Sequence, residues 1–207
     1  QIAARELRYT WFQELIEKHN FDYILTAHHA DDNLETFLIN LTRGTGLEGF
    51  TGIPKINGNI VRPLLPFSRE EILKYAKENN IEWREDASNA STKYTRNKIR
   101  HQVIPVLKEI NPSLLSSFEK TLENLQESQQ ILEDRIEEVS SKIIETKGAI
   151  TKINIDKIQQ LSNPKGYLYQ LLKNHSFTEW NDVYDLLSAQ SGKQVFSKTH
   201  RLLKDRE

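Results

Sequence analysis

The 207 residues carry 28 Lys and Arg against 29 Asp and Glu, a formal net charge of -1 that excludes a chain-wide polycation coating nucleic acid. Hydrophobic residues make up 37% and charged residues 28%, lean for a globular chain but not disordered, and no apolar run approaches the roughly eighteen residues of a membrane span. Cysteine is absent, which excludes disulfides, thiolate metal sites and cysteine nucleophiles within this chain. A soluble, cytoplasmic protein without membrane contact is expected. Methionine is also absent, including at position 1, so the chain is expected to be part of a longer protein.

Residues 2 to 19 read as an amphipathic helix with Leu7, Trp11, Leu15 and Ile16 on one face and Asn20 as its stop. Phe21 to Thr26 has strand length and is apolar on both faces, as in a buried parallel sheet. Asp31 to Thr42 is a second helix closed by Gly44, and Ile60 to Leu65 a second strand bounded by Asn57-Gly58-Asn59 and Pro66. Ser68 with Glu71 three residues on is a capping-box pattern opening a third helix that runs to Asn79 or Asn80. This alternation is α/β logic. From Pro112 to Gly148 a long helix is expected, roughly 54 Å at 1.5 Å per residue. Its stripe is Leu115, Phe118, Leu122, Leu125, Leu132, Ile136, Val139 and Ile143, interrupted at Gln129. Residues 119 to 145 hold eight acids and three bases, an acidic solvated face. Short helices follow at Asp156 to Leu161, Lys165 to Asn174 and Thr178 to Ala189, and a basic hairpin after Gly192.

Reactive side chains are densest in Thr26-Ala27-His28-His29-Ala30-Asp31-Asp32-Asn33-Leu34-Glu35-Thr36, between a strand and a helix, where open α/β sheets bind ligands. Asp32 and Glu35, three apart, share one face of the first helical turn. Such a pair suits a divalent cation, Mg²⁺ with phosphate before Zn²⁺, or an ammonium group. Helix capping explains one or two of the acids but not the two adjacent histidines. Arg43-Gly44-Thr45-Gly46 fits either a close phosphate approach or an ordinary helix stop. From Ala87 to Lys108 there are five Lys or Arg and no acid, a local field for phosphates, unless it is merely a solvated basic face. Arg96 and Arg100 share a face if their segment is helical.

Together, in this order, these clusters resemble the tRNA(Ile)-lysidine synthetases, a family of PP-loop ATP pyrophosphatases. The likeness runs through Ala4-Arg5-Glu6-Leu7-Arg8-Tyr9, His28 to Thr36, Arg43-Gly44-Thr45-Gly46-Leu47-Glu48-Gly49 and Arg62-Pro63-Leu64-Leu65. It ends with Asp86-Ala87-Ser88-Asn89 and Arg96-Asn97-Lys98-Ile99-Arg100. The family's SGGxDS loop would lie before residue 1, together with the first strands of the sheet, and without it the chain alone is expected to be inactive.

The resemblance implies a Rossmann-like parallel-sheet nucleotide-binding domain over 1–112, a mainly helical tRNA-binding domain over 113–192, and the start of a small β-containing unit over 193–207. It implies that ATP adenylates the C2 oxygen of the wobble cytidine, position 34, of the isoleucine tRNA with a CAU anticodon. The ε-amine of L-lysine then displaces AMP to give lysidine, with pyrophosphate released earlier. His29, Asp32, Glu35 and Arg100 are then catalytic, Asp32 and Glu35 hold the lysine, and Asp32 is a candidate Mg²⁺ ligand. Thr26, His28, Arg43, Gly44 and Arg96 would meet ATP, while Lys93, Lys98 and Lys108 would meet RNA. A homodimer is a candidate assembly. Two alternatives stay open: a related tRNA thiolase, disfavoured by the lack of cysteine, and a non-catalytic RNA-binding fragment.

Overall fold

The computed structural model describes residues 2–84 and 94–205, with side chains from Glu6 onward. The fold is mixed α/β and divides into two compact units, residues 1–129 and 130–207. Among the described residues no helix is long and apolar enough to cross a membrane.

In the first unit α1 (Ile2–His19) has the expected bounds, and Asn20 ends it in the left-handed region at φ 53°. Its expected apolar face is not covered: Leu7 and Trp11 are exposed, and only Leu15 and Ile16 are half-buried. β1 is shorter than the apolar run, Ile24–Leu25, and the expectation of two buried faces fails, since Phe21, Tyr23 and Leu25 are exposed. The reason lies in pairing, because among the described residues β1 has one neighbour, β3 (Ile60–Val61), which runs parallel to it. β3 also pairs antiparallel with β2 (Ile56–Asn57), a strand the sequence did not announce, across the loop Gly58–Asn59. The expected strand to Leu65 stops at Val61. Pro63 and Pro66 cannot donate to a ladder, and the chain turns instead, with Leu65 N donating to Arg62 O at 3.3 Å.

α2 (Ala30–Arg43) follows β1 after a four-residue connection and is capped at its end by Gly44. α3 (Arg69–Glu78) opens on the expected reciprocal cap: Glu71 N donates to Ser68 Oγ at 3.1 Å and Ser68 N to Glu71 Oε2 at 2.7 Å. α4 (Thr95–Lys98) runs directly into a π-helical turn, Ile99–Val103, and then α5 (Ile104–Ile110). Pro105 has no N–H for the carbonyl of His101, and Ile104 N reaches back five residues to Ile99 O, so the helix widens upstream of the proline. α6 (Leu114–Ile143) begins in this unit and ends in the second. Leu34 and Ile39 of α2 pack with Ile99, Ile104, Phe118 and Leu122, which ties α2 to the π turn and α6. Phe37 meets Phe118 edge-on at 5.2 Å.

The loop after α2 is fastened to that helix by side-chain amides. Asn33 Oδ1 accepts Ile53 N at 2.7 Å, and Asn40 Nδ2 donates to Gly49 O at 2.8 Å. Gly52 takes φ +82°, and a Cβ there would sit 2.6 Å from Asn33 Oδ1, so glycine is required twice over.

In the second unit α6 stops at Ile143, not near Gly148 as its periodicity suggested. The β-branched residues around Ile144 pair as β4 (Ile144–Lys147) with β5 (Ile150–Ile153), and Gly148 at φ 62° opens the two-residue loop between them. The buried stripe of α6 otherwise follows the expected positions, with Gln129 buried among them. α7 (Ile155–Gln159), α8 (Pro164–Leu172) and α9 (Trp180–Asp185) are each shorter than expected. They enclose a core of Val139, Ile143, Ile158, Leu168, Phe177 and Val183. β6 (Gln194–Phe196) and β7 (Arg201–Leu203) form the expected hairpin.

Candidate active site

The segment after β1 runs along the carboxyl end of a strand that is parallel to its neighbour, and α2 begins there with two acids in its first turn. Ala30 N donates to Phe67 O at 2.9 Å and Thr26 N to Val61 O at 3.0 Å, so the β3 side of the sheet fixes where α2 starts. Asp32 Oδ2 accepts His29 N at 3.1 Å, which closes the first turn.

Glu35 is 0% exposed. A carboxylate there needs compensation, and Arg100 supplies it bidentately: Nε donates to Oε1 at 2.5 Å and Nη2 to Oε2 at 2.9 Å. Arg100 Nη2 also reaches Asp32 Oδ1 at 3.3 Å. Arg96, one turn earlier, donates to Thr36 Oγ1 at 3.1 Å and to Glu35 Oε2 at 3.4 Å, and lies 3.7 Å from Asp32 Oδ1. The two arginines do share a face, because α4 and the π turn are continuous. Hydrogen bonding to Glu35 holds the Arg100 guanidinium even more firmly protonated than usual, against burial and with help from the charges of Glu35, Asp32 and Asp31.

A second ion cluster, which the sequence reading did not single out, sits beside the first. Asp31 Oδ2 accepts Arg69 N at 2.8 Å, and Asp31 Oδ1 accepts Lys108 Nζ at 3.2 Å. His29 lies between the acids, Nδ1 3.7 Å from Asp31 and Nε2 3.4 Å from Asp32, and its buried Nδ1 makes no hydrogen bond. Burial alone would push the Asp31 carboxyl up. The Arg69 N–H, the charge and hydrogen bond of Lys108, and His29 together outweigh burial and hold it below its ordinary value near 3.8. Because the folded value is depressed, the stabilisation from Asp31 is present above about pH 3.8 and is lost as pH falls through the lower folded value. Asp31→Asn should therefore melt below the wild type at pH 6, with the gap closing below about pH 3.8, as thermal unfolding across a pH series would record.

A cavity of about 450 Å³ opens among His29, Asp31, Arg69, Arg100 and Lys108, with Ile104 and Pro105 as its apolar wall. Its lining carries both signs of charge, which suits a zwitterion or a phosphate met by an ammonium. Thr26 Oγ1 and His28 Nδ1 lie 3.0 Å apart at the strand end.

Of the expected site residues, the structure brings together His29, Asp32, Glu35, Arg96 and Arg100, with Thr26 and His28 next to them in the chain. Arg43 and Gly44 are at the other end of α2, roughly 16 Å along its axis from Asp32. Lys108 faces Asp31, and Lys98 is exposed. Lys93 and the Asp86-Ala87-Ser88-Asn89 stretch lie outside the described residues. Asp31 was named within the reactive cluster but given no role, because its neighbour Asp32 had the better spacing partner. Asn33 and Gly52 were given none either.

A family model described as the PP-loop domain matches residues 1–107. The chain belongs to the PP-loop family. Residues 145–207 match a second model, described as the TilS substrate binding domain. The charged cluster of Asp32, Glu35, Arg96 and Arg100 thus falls inside the first matched segment. A tRNA(Ile)-lysidine synthase of Parabacteroides distasonis is 41% identical over 209 residues, covering 100% of this chain and 47% of that protein. Another, from Porphyromonas gingivalis strain W83, is 40% identical over 100% of this chain and 45% of its own length. The Bacillus subtilis tRNA(Ile)-lysidine synthase is 41% identical over 168 residues, 79% of this chain and 35% of that protein. The PP-loop chain spans about half the length of the curated relatives it matches.

Proposed function

We propose that this chain belongs to a tRNA-modifying ligase that joins L-lysine to C2 of the wobble cytidine of a CAU-anticodon isoleucine tRNA, using ATP and releasing AMP and pyrophosphate. The observation that carries it is the paired-charge cluster of Asp32, Glu35, Arg96 and Arg100 at the carboxyl end of a parallel strand. Names of relatives about 40% identical over the whole chain support the same reaction. In this reading β1 and β3 belong to a Rossmann-like nucleotide-binding sheet, and ATP lies across the strand end near Thr26, His28 and the cavity.

Glu35, fully buried behind Arg100, is the positioning carboxylate: it fixes the guanidinium where a phosphate develops charge. Asp32, at 15% exposure, is the carboxylate with a face left to offer the lysine ammonium. His29, between two acids and with one ring nitrogen unpartnered, is placed to receive a proton as the ammonium becomes a nucleophilic amine. Among the described residues no group of three acids or histidines makes a closed metal cage. Mg²⁺ needs only one or two carboxylates when it arrives with phosphates, so Asp32 fits as its protein ligand. Bound Mg²⁺ would neutralise phosphate charge. Lys98 and Lys93 are assigned to RNA phosphates, whereas the ammonium of Lys108 is already committed to Asp31.

The test uses the full-length protein containing this chain. Sustained pyrophosphate release should require both lysine and the CAU-anticodon tRNA, a first equivalent needing only ATP and the tRNA, and ornithine supporting equal turnover would count against the assignment. Asp32→Asn should lower kcat/KM for lysine roughly ten- to a hundredfold, the loss of one charge-assisted contact at about 1.5–3 kcal/mol, while tRNA affinity stays within about twofold.

A further inference from the structure

The outer face of the C-terminal hairpin is apolar, aromatic and basic at once. Val195 and Leu202 are paired across the strands and pack inward on the second unit's core. The alternation therefore turns Phe196, opposite Arg201, and Leu203, opposite Gln194, to the other face, where Phe196 is 67% and Leu203 51% exposed. Around them Gly192 to Lys204 holds four Lys or Arg and no acid. Residues 119 to 145, by contrast, hold eight acids and three bases. The hairpin tip is anchored rather than loose: Thr199 Oγ1 lies 2.8 Å from His200 Nδ1 and donates to His175 O at 3.4 Å, and the His200 ring meets that of His175 edge-on at 4.6 Å.

An exposed ring beside a guanidinium, on a rigid two-stranded ribbon and inside a positive field, has the chemistry of a base-stacking surface. A neutral apolar partner would leave the lysines unmatched, whereas RNA answers both features through base faces and phosphates. We propose that this hairpin is an RNA-stacking platform: Phe196 and Arg201 take an unpaired base of the RNA substrate, and Lys198, exposed two residues beyond Phe196, meets the adjoining phosphate. The RNA partner is the one assigned under the proposed function.

The experiment titrates full-length protein with fluorescein-labelled CAU-anticodon tRNA at several salt concentrations, beside lysine-dependent pyrophosphate release. Phe196→Ala should weaken binding about tenfold or more without altering the salt slope, and Phe196→Trp should stay within about twofold of wild type. Lys198→Ala should weaken binding a few-fold and make the slope shallower by about 0.7–0.9. Wild-type affinity in Phe196→Ala, with lysine-dependent turnover intact, would overturn the platform and leave the lysidine assignment standing. Binding that responds to Phe196 without any lysine-dependent turnover would sink the lysidine assignment alone. Equal losses in Phe196→Ala and Phe196→Trp, with lowered melting temperatures, would make the residue structural and overturn the platform. So would unchanged RNA binding with a shift in mass by light scattering, which would give the face to a second copy.

Discussion

Arg100→Met should destabilise the protein by about 3–5 kcal/mol, and Glu35→Gln by only about 1–3 kcal/mol, although both break the same ion pair. The difference comes from what each substitution strands. Without Arg100, a carboxylate that is 0% exposed loses both bonds of its bidentate partner. Arg96 is a poor substitute, 3.4 Å away and 42% exposed, so solvent screens much of what it could contribute. Without the Glu35 charge, Arg100 keeps Asp32 at 3.3 Å and remains 22% exposed, enough for water to solvate it. The double variant should consequently be more stable than Arg100→Met alone, a sign reversal that only a coupled pair produces. Urea unfolding of the three variants in full-length protein measures it. If the single variants proved equally stable, or if the double were the sum of the two, Glu35 would not depend on Arg100 for its charge.

Ile158→Ala should cost about 2–5 kcal/mol and Ile158→Val about 0.5–1.5 kcal/mol. The side chain is 0% exposed and is contributed by a five-residue helix, α7, which has little intrinsic stability of its own. That helix is held by its cap, Asn154 Oδ1 accepting Lys157 N at 2.9 Å, and by Ile158 among Val139, Ile143, Leu168 and Val183. Removing three buried carbons loses their transfer free energy and leaves a cavity that neighbouring helices fill only in part. Thermal melts should show a drop for Ile158→Ala several times that for Ile158→Val. Comparable drops would mean that the site collapses onto the smaller side chain.

Local chemistry was the most legible part of the fold. Ser68 and Glu71 specify their helix start through atoms within one turn, and the α6 stripe repeats often enough for its buried face to be read position by position. Strand burial was not legible, because an apolar run such as Phe21 to Leu25 records what a residue prefers and not which neighbour covers it. The end of α6 was misplaced for a related reason. Ile143, Ile144 and Ile150 satisfy a helical stripe and a hairpin equally well, and long-range pairing decides between them. At the site, spacing put Asp32 and Glu35 on one face of α2, but it could not show that Arg100, 65 residues after Glu35, would close on them. That pairing turns two apparently available carboxylates into one buried anchor and one accessible acid. Asp31 with Lys108 is the same lesson at a separation of 77 residues.

The amides that fasten the loop after α2 bear on how the chain tolerates changes in length. Surface loops usually absorb extra residues cheaply, since closure entropy grows only slowly with length. Here Asn33 and Asn40 each grip the loop backbone, and Gly52 fits only because nothing protrudes toward Asn33. Asn33 is the residue immediately after Asp32, on the first turn that carries the acids. An inserted epitope tag or reporter peptide between Gly49 and Ile53 would therefore pull on the acidic first turn of α2, and a site for such grafting is better sought at the hairpin tip around Gly58, where a Cβ added to the glycine would meet nothing within 4 Å.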